Sequence, residues 1–412
     1  MVGLVTGCRA CGGRLSVTMA DLGLQPPSNA FLSSMSEAGD EKRYPLRAKV
    51  CESCKLVQLD YDVAPEELFR NYVYFSSYSD QWLAHAKQYC HMALSRFALG
   101  PQSLVVELAS NDGYLLKNFV ELGIPVLGID PSDTVAAAAE IIGVPTLVEF
   151  FGETLARALA REGRSADLII GNNVLAQVPD LNDFVAGLRV ILKPDGVLTL
   201  EFPHLLRLIE RNEFDTIYHE HFSYFSLLTT LRILEAHGLK VFHVEELSTH
   251  GGSLRVYACR AESPRHEIRP SVGDVIAEET RAGMASADGY AHFAQKVKET
   301  KLALVEFLIG AARLGKSVAG YGAPGKSATL LHYCGIGKDL IQFTVDRSPY
   351  KQGRFLPGSH IPIHHPDRIR EAKPDYVIIL PWNLKDEIMT QLEFIRDWGG
   401  KFVIPIPQVT IV

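Results

Sequence analysis

The chain has 412 residues, of which 47% are hydrophobic and 22% charged, the composition of an ordinary globular protein. With 48 acidic residues against 41 basic ones its formal net charge is −7, and this balance disfavours a nucleic-acid partner. No apolar run approaches the roughly 20 residues needed to span a bilayer, so no membrane partner is expected. The start of the chain lacks the charged region of a secretory signal, and we expect a cytoplasmic protein.

Two C-x-x-C pairs stand near the start of the chain, Cys8 with Cys11 and Cys51 with Cys54. Pairs of this spacing bring four thiolates to one tetrahedral metal ion. Because four sulfur ligands leave no position for water, the pattern predicts a structural zinc ion rather than a catalytic one. Two disulfides are the alternative, which a cytoplasmic location disfavours. We assign residues 1–70 to a small domain that the zinc would stabilise.

Apolar residues at helical spacing predict a helix over Asp80–Leu99, and strands then alternate with helices as far as Cys259. This alternation predicts a mostly parallel sheet covered on both faces. The predicted strands are Leu104–Leu108, Val126–Ile129, Leu168–Ile170, Gly196–Phe202, Val241–Leu247 and Leu254–Cys259, the last of them antiparallel. The predicted helices between them are Gly113–Leu122, Thr134–Ile142 and Asp180–Leu192.

One or two helices are predicted over Gly273–Leu314, after which the alternation of strands and helices begins again. The strands predicted here are Ser317–Gly320, Ile341–Val345, Tyr376–Leu380 and Lys401–Ile404, with a helix over Lys326–Tyr333. The sequence therefore predicts an α/β protein with a small zinc-binding N-terminal domain (1–70), a central Rossmann-like domain (71–272) and a C-terminal Rossmann-like domain (273–412).

The segment Glu107–Gly113, E-L-A-S-N-D-G, follows an apolar strand and begins a helix, as nucleotide-binding turns do. It has one glycine where a dinucleotide fingerprint has three, and its carboxylates would repel a pyrophosphate but suit the positive sulfur of S-adenosylmethionine. Asp130 ends the next strand, where a carboxylate can hold ribose hydroxyls. The predicted cofactor residues are Glu107, Ala109, Asn111, Asp112, Gly113, Asp130, Pro131, Phe151, Asn172 and Asn173. The alternative is that the aspartate and the asparagines only cap helices.

The run Asp215–His221, D-T-I-Y-H-E-H, concentrates groups that are costly to bury without partners. A His/Glu pair can remove a proton next to a carbonyl, and a tyrosine can hydrogen-bond the resulting enolate. We expect His219 to point outward. The alternative is a set of polar residues that cap the core. The aromatic run Tyr72–Ser79 is a candidate for the opposite wall of the same pocket, or else a buried linker.

The two cysteine pairs, E-L-A-S-N-D-G, D-T-I-Y-H-E-H and the run G-Y-G-A-P-G-K-S-A-T-L-L over 320–331 follow one another in this order. In these motifs the whole chain resembles the sugar C-methyltransferases, which act on nucleotide-linked 4-keto-deoxysugars. The resemblance implies the same three domains, a central one that binds S-adenosylmethionine, and a dTDP-linked ketosugar in the cleft among them. It also implies that the methyl group goes to carbon 3, beside the keto group.

For the reaction, the resemblance implies that His221, supported by Glu220, removes the proton from carbon 3. Tyr218 and Tyr72 would then steady the enolate. The predicted substrate-binding residues are Tyr78, Ser79, Gln177, Gly322, Ala323 and Lys326.

Two features of this assignment leave alternatives open. The turn before Lys326 is expected to contact the nucleotide diphosphate, and the alternative is a close strand-to-helix packing turn. The family often has a histidine where this chain has Gln177, which cannot act as an acid or base. Position 177 then only binds, or the substrate differs, and methylation of oxygen or nitrogen is the second hypothesis. We expect a monomer or a weak homodimer.

Overall fold

An antiparallel sheet forms the first part of the chain in the computed structural model, which describes residues 3–69 and 75–412. The elements of this part of the chain are β1 (Gly3–Leu4), β2 (Leu15–Gln25), β3 (Tyr44–Cys51), β4 (Val57–Leu59), β5 (Tyr61–Asp62) and the short helix α1 (Pro65–Phe69). Strands β1 and β5 pair with each other as a separate two-stranded antiparallel sheet. Strands β2, β3 and β4 pair in that order, and the fourth strand of the sheet, Ser223–Tyr224, comes from far along the chain. Because Ser223 follows almost directly on His221, this pairing ties the D-T-I-Y-H-E-H run to the N-terminal sheet.

The central unit is a seven-stranded sheet with helices on its faces. Its elements are α2 (Asp80–Arg96), β6 (Val105–Leu108), α3 (Leu116–Glu121), β7 (Val126–Ile129), α4 (Asp133–Ile141), β8 (Thr146–Leu147), α5 (Glu153–Arg161), β9 (Ala166–Asn172), α6 (Leu181–Ile191), β10 (Leu192–Pro203), α7 (Leu205–Glu210), β11 (Ser223–Tyr224, in the N-terminal sheet), α8 (Leu227–Ala236), β12 (Leu239–Leu247) and β13 (Ser253–Arg260). The strand order is β12-β13-β10-β9-β6-β7-β8, and β13 runs antiparallel to both of its neighbours, as predicted for Leu254–Cys259.

The C-terminal unit begins with two helices and continues as a second, six-stranded sheet. Its elements are α9 (Pro270–Arg281), α10 (Phe293–Arg313), β14 (Val318–Tyr321), α11 (Gly325–Cys334), β15 (Thr344–Val345), β16 (Ile363–His364), α12 (Arg368–Ala372), β17 (Tyr376–Ile379), α13 (Lys385–Gln391), β18 (Lys401–Ile404) and β19 (Thr410–Ile411). The order is β16-β15-β14-β17-β18-β19, parallel except for the last pair. The order reverses between β14 and β17, where open sheets of this kind leave a crevice for ligands.

Alternating side chains cover the central sheet on both faces. On β6, Val106 and Leu108 belong to one hydrophobic cluster and Val105 to the cluster on the opposite face, as the two-residue period of a strand requires. A further cluster joins Met19 and Leu46 of the N-terminal sheet to Leu304 of α10 and to the C-terminal sheet. The N-terminal sheet is therefore packed against the C-terminal unit by a shared core.

These observations confirm the predicted α/β fold class, with two Rossmann-like sheets and an N-terminal segment that carries four clustered cysteines. The predicted domain boundaries stay predictions. Within the described ranges, none of the helices combines the length and the apolar character that crossing a lipid bilayer requires.

Candidate functional site

The four cysteines of the two C-x-x-C pairs converge on one point. Their sulfur atoms all lie within 4.8 Å of one another, and the Cys8–Cys54 and Cys11–Cys51 sulfur pairs are 3.5 Å apart. Bonds of about 2.3 Å to a tetrahedral zinc ion place the sulfur ligands about 3.8 Å apart, so the arrangement fits that ion. Backbone bonds of 2.8 Å from the Cys8 N–H to Gly13 and from the Gly12 N–H to Cys8 shape the first turn.

A cavity of about 380 Å³ opens at the carboxyl ends of β6, β7 and β9, the edge where parallel sheets bind ligands. Seven of the ten predicted cofactor residues line it: Ala109, Asn111, Asp130, Pro131, Phe151, Asn172 and Asn173. The ring of Phe151 contacts Phe184 edge-on, with centroids 5.5 Å apart. The cavity therefore combines an aromatic side with a polar side, as an adenosyl ligand requires.

Asp130 follows β7 and ties down the turn that follows β6. Its Oδ2 accepts the backbone N–H of Asn111 at 3.0 Å, and its Oδ1 accepts that of Ser132 at 2.9 Å. Burial raises the pKa of Asp130 to about 6 in spite of these two bonds. Each carboxylate oxygen has a second lone pair, so both can also accept ribose hydroxyls.

The side-chain oxygens of Asn172 and Asn173 are buried and have no donor among the described residues. Buried acceptors are rarely left unpaired in folded proteins, so two of them in one cavity wall point to a ligand that donates hydrogen bonds. S-adenosylmethionine, with its amino and hydroxyl groups, fits this cavity.

Three predicted cofactor residues, Glu107, Asp112 and Gly113, do not line the cavity. Glu107 alternates with Leu108 on β6, and since Leu108 lines the cavity, Glu107 points to the opposite face. Burial raises the pKa of Glu107 well above its ordinary value. Asp112 instead accepts the Ser77 N–H at 3.1 Å, and Gly113 turns the chain with φ +75° against Val144.

A second cavity of about 600 Å³ lies between the central sheet and the C-terminal unit. It shares four wall residues with the first cavity: Trp82, Asn173, Gln177 and His250. Of the predicted substrate residues, five line it: Tyr78, Ser79, Gln177, Gly322 and Lys326. The two cavities are therefore direct neighbours along this wall.

His221 and Tyr218 line the second cavity. Nδ1 of His221 lies 3.0 Å from the carbonyl oxygen of Thr216, so Nδ1 carries the proton and Nε2 is the acceptor. Nε2 has no hydrogen-bond partner within residues 3–69 and 75–412. Burial lowers the pKa of His221 to about 4, and the ring lies 4.1 Å from that of Tyr218. The imidazole is therefore neutral at pH 7 and able to take a proton.

Glu220 does not contact the imidazole of His221, contrary to the expectation that it supports that ring. Its carboxylate is buried and accepts hydrogen bonds from Ser28 Oγ at 2.8 and 2.9 Å and from Asn29 Nδ2 at 3.1 Å. Burial raises the pKa of Glu220. His219 points out of the cavity but not to solvent, because it is buried against the carbonyl of Pro45. Adjacent residues of the run thus face three different directions.

The C-terminal wall of the second cavity is the turn between β14 and α11. Gly322 has φ +88°, and a Cβ atom there would lie 2.5 Å from Pro381, so the close approach of two loops requires glycine. Ala323, a predicted substrate residue, is buried and does not line the cavity. Its N–H donates to Asp346 at 2.7 Å.

Lys326 projects into a nearly dry corner of this wall. Its Nζ donates to Asn383 and lies 4.0 Å from the centre of the Trp382 ring. Burial lowers the pKa of Lys326, and the carboxylates of Asp215 and Glu213 oppose that shift.

Tyr72 lies outside the described residues. In the remainder of the aromatic run, Phe75 stacks on Tyr350 with centroids 4.9 Å apart, and Tyr78 accepts a hydrogen bond from Arg347 at its carbonyl. The described part of the run lines the second cavity and contacts the C-terminal unit.

Sequence reasoning missed Trp82, His85 and His250. Trp82 is one of the apolar residues that predicted α2, so its pattern indicated core; in the structure it stacks on His85 at 5.0 Å and meets His250 edge-on at 5.0 Å. His85 is hydrogen-bonded to Glu201 at 2.9 Å. Glu201 lies inside an otherwise apolar strand, and this exception in the sequence could have indicated a buried polar group that needs partners.

Glu201 is buried at the base of this group. Burial alone would raise the pKa of Glu201, but the hydrogen bond from His85 and the charge of Arg255 lower it to about 2. The carboxylate is therefore ionised and holds both side chains in place.

Comparisons with known proteins agree in order along the chain. Three family models match it: "Putative zinc binding domain" over residues 8–69, "Methyltransferase domain" over 82–244 and "C-methyltransferase C-terminal domain" over 248–407. The C-methyltransferase NovU of Streptomyces niveus is 37% identical over 406 residues, covering 98% of this chain and 96% of the relative. A ubiquinone biosynthesis O-methyltransferase of Bartonella tribocorum is 30% identical over 95 residues, 23% of this chain and 38% of its own length.

Among solved structures, magnesium protoporphyrin IX methyltransferase from Synechocystis with bound S-adenosylmethionine is 18% identical, covers 46% of this chain and 86% of its own, and has a TM-score of 0.32. The full-length similarity to NovU and the three consecutive family models carry the assignment. The chain belongs to the S-adenosylmethionine-dependent C-methyltransferases that begin with a zinc-binding domain.

Proposed function

We propose that this enzyme methylates carbon 3 of a dTDP-linked 4-keto-deoxysugar through an enolate. The observation that carries the proposal is the second cavity, which shares four wall residues with the cofactor cavity and contains the neutral imidazole of His221. A methyl donor and a carbon acid have to meet in one place, and these two cavities lie next to each other along that wall.

His221 is the proposed base. Its Nε2 takes the proton from the carbon beside the ketone, while the carbonyl of Thr216 holds Nδ1–H and stabilises the imidazolium that forms. Burial lowers the pKa of this histidine to about 4 in the free enzyme, and a negative charge developing on the substrate would raise it toward the value that proton removal needs. The ring is thus neutral before the substrate binds and becomes more basic as the enolate forms.

Tyr218 is the proposed donor to the enolate, since its ring lies against that of His221. We assign Tyr72 the same role, as a donor to the enolate, because of the resemblance to the family. Glu220 is proposed as a positioning residue: it binds Ser28 and Asn29 of the N-terminal domain, and Asn29 itself lines the second cavity. The base and part of the substrate wall are therefore held together.

The C-terminal unit repeats, at Asp346, the arrangement of Asp130. Asp346 follows β15, and its two oxygens accept the N–H groups of Ala323 at 2.7 Å and Ser348 at 2.8 Å. In both units an aspartate after the second strand ties down the turn after the first, which is how folds of this kind hold a nucleoside. This parallel supports the nucleoside of the substrate on the C-terminal unit.

Three cationic side chains line the second cavity near that turn: Lys326, Arg347 and Lys351. Lys351 is buried and donates to the carbonyl of Ala323 at 3.0 Å, so its charge is held beside the turn. A diphosphate bound here would be paired with cations on the C-terminal side, which supports the proposed nucleotide-linked substrate.

In the first cavity, Asp130 would hold the ribose of S-adenosylmethionine, Phe151 its adenine and Asn172 its amino-acid end. When bound, this cofactor supplies a methyl group on a positively charged sulfur. The zinc ion proposed at the four cysteines has a structural role, because all four ligand positions are thiolates.

The test is incubation with dTDP-4-keto-6-deoxyglucose and methyl-labelled S-adenosylmethionine, followed by NMR of the product. We expect the label on carbon 3. No label on a sugar carbon would contradict the proposal. Label on carbon 5 would keep the enolate chemistry and correct only the position, because both carbons beside a 4-ketone are acidic. The experiment has to distinguish the two carbons, since this chain has Gln177 in the shared wall where the family often has a histidine. Methylation of oxygen or nitrogen is disfavoured, since the chain belongs to the C-methyltransferases.

A further inference from the structure

Two residues with left-handed backbone conformations touch each other at the wall shared by the cavities. Asn173 has φ 56° and His250 has φ 54°, and the amide nitrogen Nδ2 of Asn173 lies 3.0 Å from Nε2 of His250. Non-glycine residues adopt this conformation at a cost in free energy and keep it where the surrounding structure imposes it, often at functional sites. His250 belongs to none of the roles assigned above.

The loop that carries His250 is held from several sides. Thr249 donates its hydroxyl to Glu201 at 2.9 Å, and Arg211 donates to the carbonyl of Gly251. Gly251 itself has φ +95°, and a Cβ atom there would lie 2.4 Å from the carboxylate of Glu213. The backbone at His250 is thus fixed before any ligand binds.

The hydrogen bond to Asn173 also decides which nitrogen of His250 carries the proton. Because Nδ2 of the amide donates, Nε2 of the ring accepts, and in the neutral ring the proton lies on Nδ1. Burial lowers the pKa of His250 to about 4, so the ring is neutral at pH 7. Within the part of the chain that the structure describes, no side chain or carbonyl accepts from Nδ1. An N–H donor in a fixed position therefore faces the two cavities.

We propose that Nδ1–H of His250 donates a hydrogen bond to the carbonyl oxygen of the methyl acceptor. This inference rests on the proposed function. When His221 takes the proton from the adjacent carbon, the C–H electron pair forms the carbon–carbon double bond of the enolate and the carbonyl π pair moves to oxygen. The donor lies where that negative charge appears and needs no reorganisation to stabilise it.

Preorganisation separates His250 from Gln177, which lines both cavities as well. The side chain of Gln177 makes no hydrogen bond to any described residue, so its amide has to be ordered by the substrate. His250 is already ordered by its backbone and by Asn173. Removing one such preorganised donor typically slows a reaction about 10²–10³-fold.

Two variants test the inference without straining the backbone. Glycine and asparagine both tolerate the left-handed conformation, so His250→Gly removes the ring and His250→Asn replaces it with a shorter N–H donor. With dTDP-4-keto-6-deoxyglucose in D₂O, and S-adenosylhomocysteine in place of the methyl donor, NMR follows deuterium entering the carbons beside the ketone. We expect His250→Gly to slow both this exchange and methylation about 10²–10³-fold and His250→Asn to recover part of the rate.

Binding of S-adenosylmethionine, measured by calorimetry, should stay within about threefold in both variants. Asn173→Gly, which keeps the left-handed backbone and releases the ring but leaves the histidine, should slow exchange by a smaller factor. Exchange by His250→Gly within about threefold of the wild type would overturn the inference, and so would a loss confined to methyl transfer or to cofactor binding. Failure of the proposed function looks different, because the wild type itself would then neither exchange nor methylate a sugar carbon.

Discussion

Three histidines of this enzyme have pKa values that burial lowers to about 4: His219, His221 and His250. What distinguishes them is the partner of each ring. His219 is hydrogen-bonded to Pro45 outside the cavities, whereas His221 uses Nδ1 on Thr216 and His250 uses Nε2 on Asn173. The second nitrogen of each of the latter two rings has no partner among the described residues. Two neutral rings in the wall of the second cavity thus differ in their unused nitrogen, which can take a proton in His221 and can donate a hydrogen bond in His250.

Replacing His221 by asparagine tests the base. We expect kcat for carbon methylation to fall about 10²–10⁴-fold, because asparagine cannot take a proton at neutral pH. Initial rates report the loss, and calorimetry should show unchanged binding of S-adenosylmethionine. His91→Asn, an exposed position on α2, is the matched control and should keep the wild-type rate. Normal turnover by the His221 variant would refute its role.

Replacing Ser28 by alanine tests the contact between the N-terminal domain and the D-T-I-Y-H-E-H run. The buried Glu220 carboxylate loses the hydroxyl donor that its two oxygens share, so we expect the free energy of unfolding to fall by about 1–3 kcal/mol. Urea titration measures the change. Ser33→Ala, at an exposed position of the same loop region, should change stability little, and equal effects in the two variants would contradict the structural role of Ser28.

At the scale of elements, loops that follow parallel strands line both cavities. Asp130 after β7 and Asp346 after β15 hold their turns in the same way in two different sheets. The turn that begins at Glu213 lies between the loop of His250 and Lys326. The Glu213 carboxylate packs against Gly251 of that loop, and the charges of Glu213 and Asp215 oppose the lowering of the Lys326 pKa. Asp215 also accepts the indole N–H of Trp382 at 2.7 Å, so this segment joins the central and C-terminal units.

Glu213 gives this segment a pH dependence. Burial raises the pKa of Glu213 from 4.5 to about 8, so the folded chain keeps a proton that the unfolded chain releases. The contribution of this group to stability is present below pH 4.5 and is lost as the pH rises toward 8. Glutamine cannot ionise, and we therefore expect the Tm of Glu213→Gln, relative to the wild type, to increase between about pH 5 and pH 8.

Thermal unfolding at a series of pH values measures this difference. Glu235→Gln on the exposed side of α8 is the control, for which the difference in Tm should not follow that course. A difference that stays constant across the range for the Glu213 variant would show that its carboxyl group is not kept protonated by the fold.

At the scale of the whole molecule, the N-terminal segment with the four cysteines contributes to the wall of the second cavity. The sheet of this segment includes β11, which follows the D-T-I-Y-H-E-H run, and the sheet shares a hydrophobic cluster with the C-terminal unit. The loop at Ser28 and Asn29 reaches Glu220 and the wall of the second cavity. Loss of the metal should therefore affect the substrate more than the cofactor.

Cys54→Ser tests this coupling. With one ligand removed, we expect the zinc content measured by atomic spectroscopy to fall and Tm to drop on the order of 10 °C, since a structural zinc contributes several kcal/mol. Binding of dTDP-4-keto-6-deoxyglucose should weaken while S-adenosylmethionine still binds. Cys259→Ala, a buried cysteine outside the cluster, is the control for zinc content. Full zinc content in the Cys54 variant would argue against the four-cysteine site.

Local patterns in the sequence were sufficient for much of this enzyme. The spacing of four cysteines predicted their cluster, and the alternation of strands and helices predicted two α/β units, because ligand spacing and hydrophobic period are properties of short segments. Placing Asp130 and Asn172 at strand ends was enough to bring them to one cavity, since parallel strands end at a common edge.

Tertiary structure decided the facing of individual side chains. Glu107 turned away from the cofactor cavity because its neighbour on the strand faces it, and Glu220 paired with Ser28, which lies nearly 200 residues away in the chain. His250 had no motif of its own, because its position depends on a loop with a left-handed residue that contacts Asn173, which follows a different strand. Periodicity reports which face of an element is buried, whereas the partner of a buried polar group is set by contacts between distant segments, and only the folded chain brings those segments together.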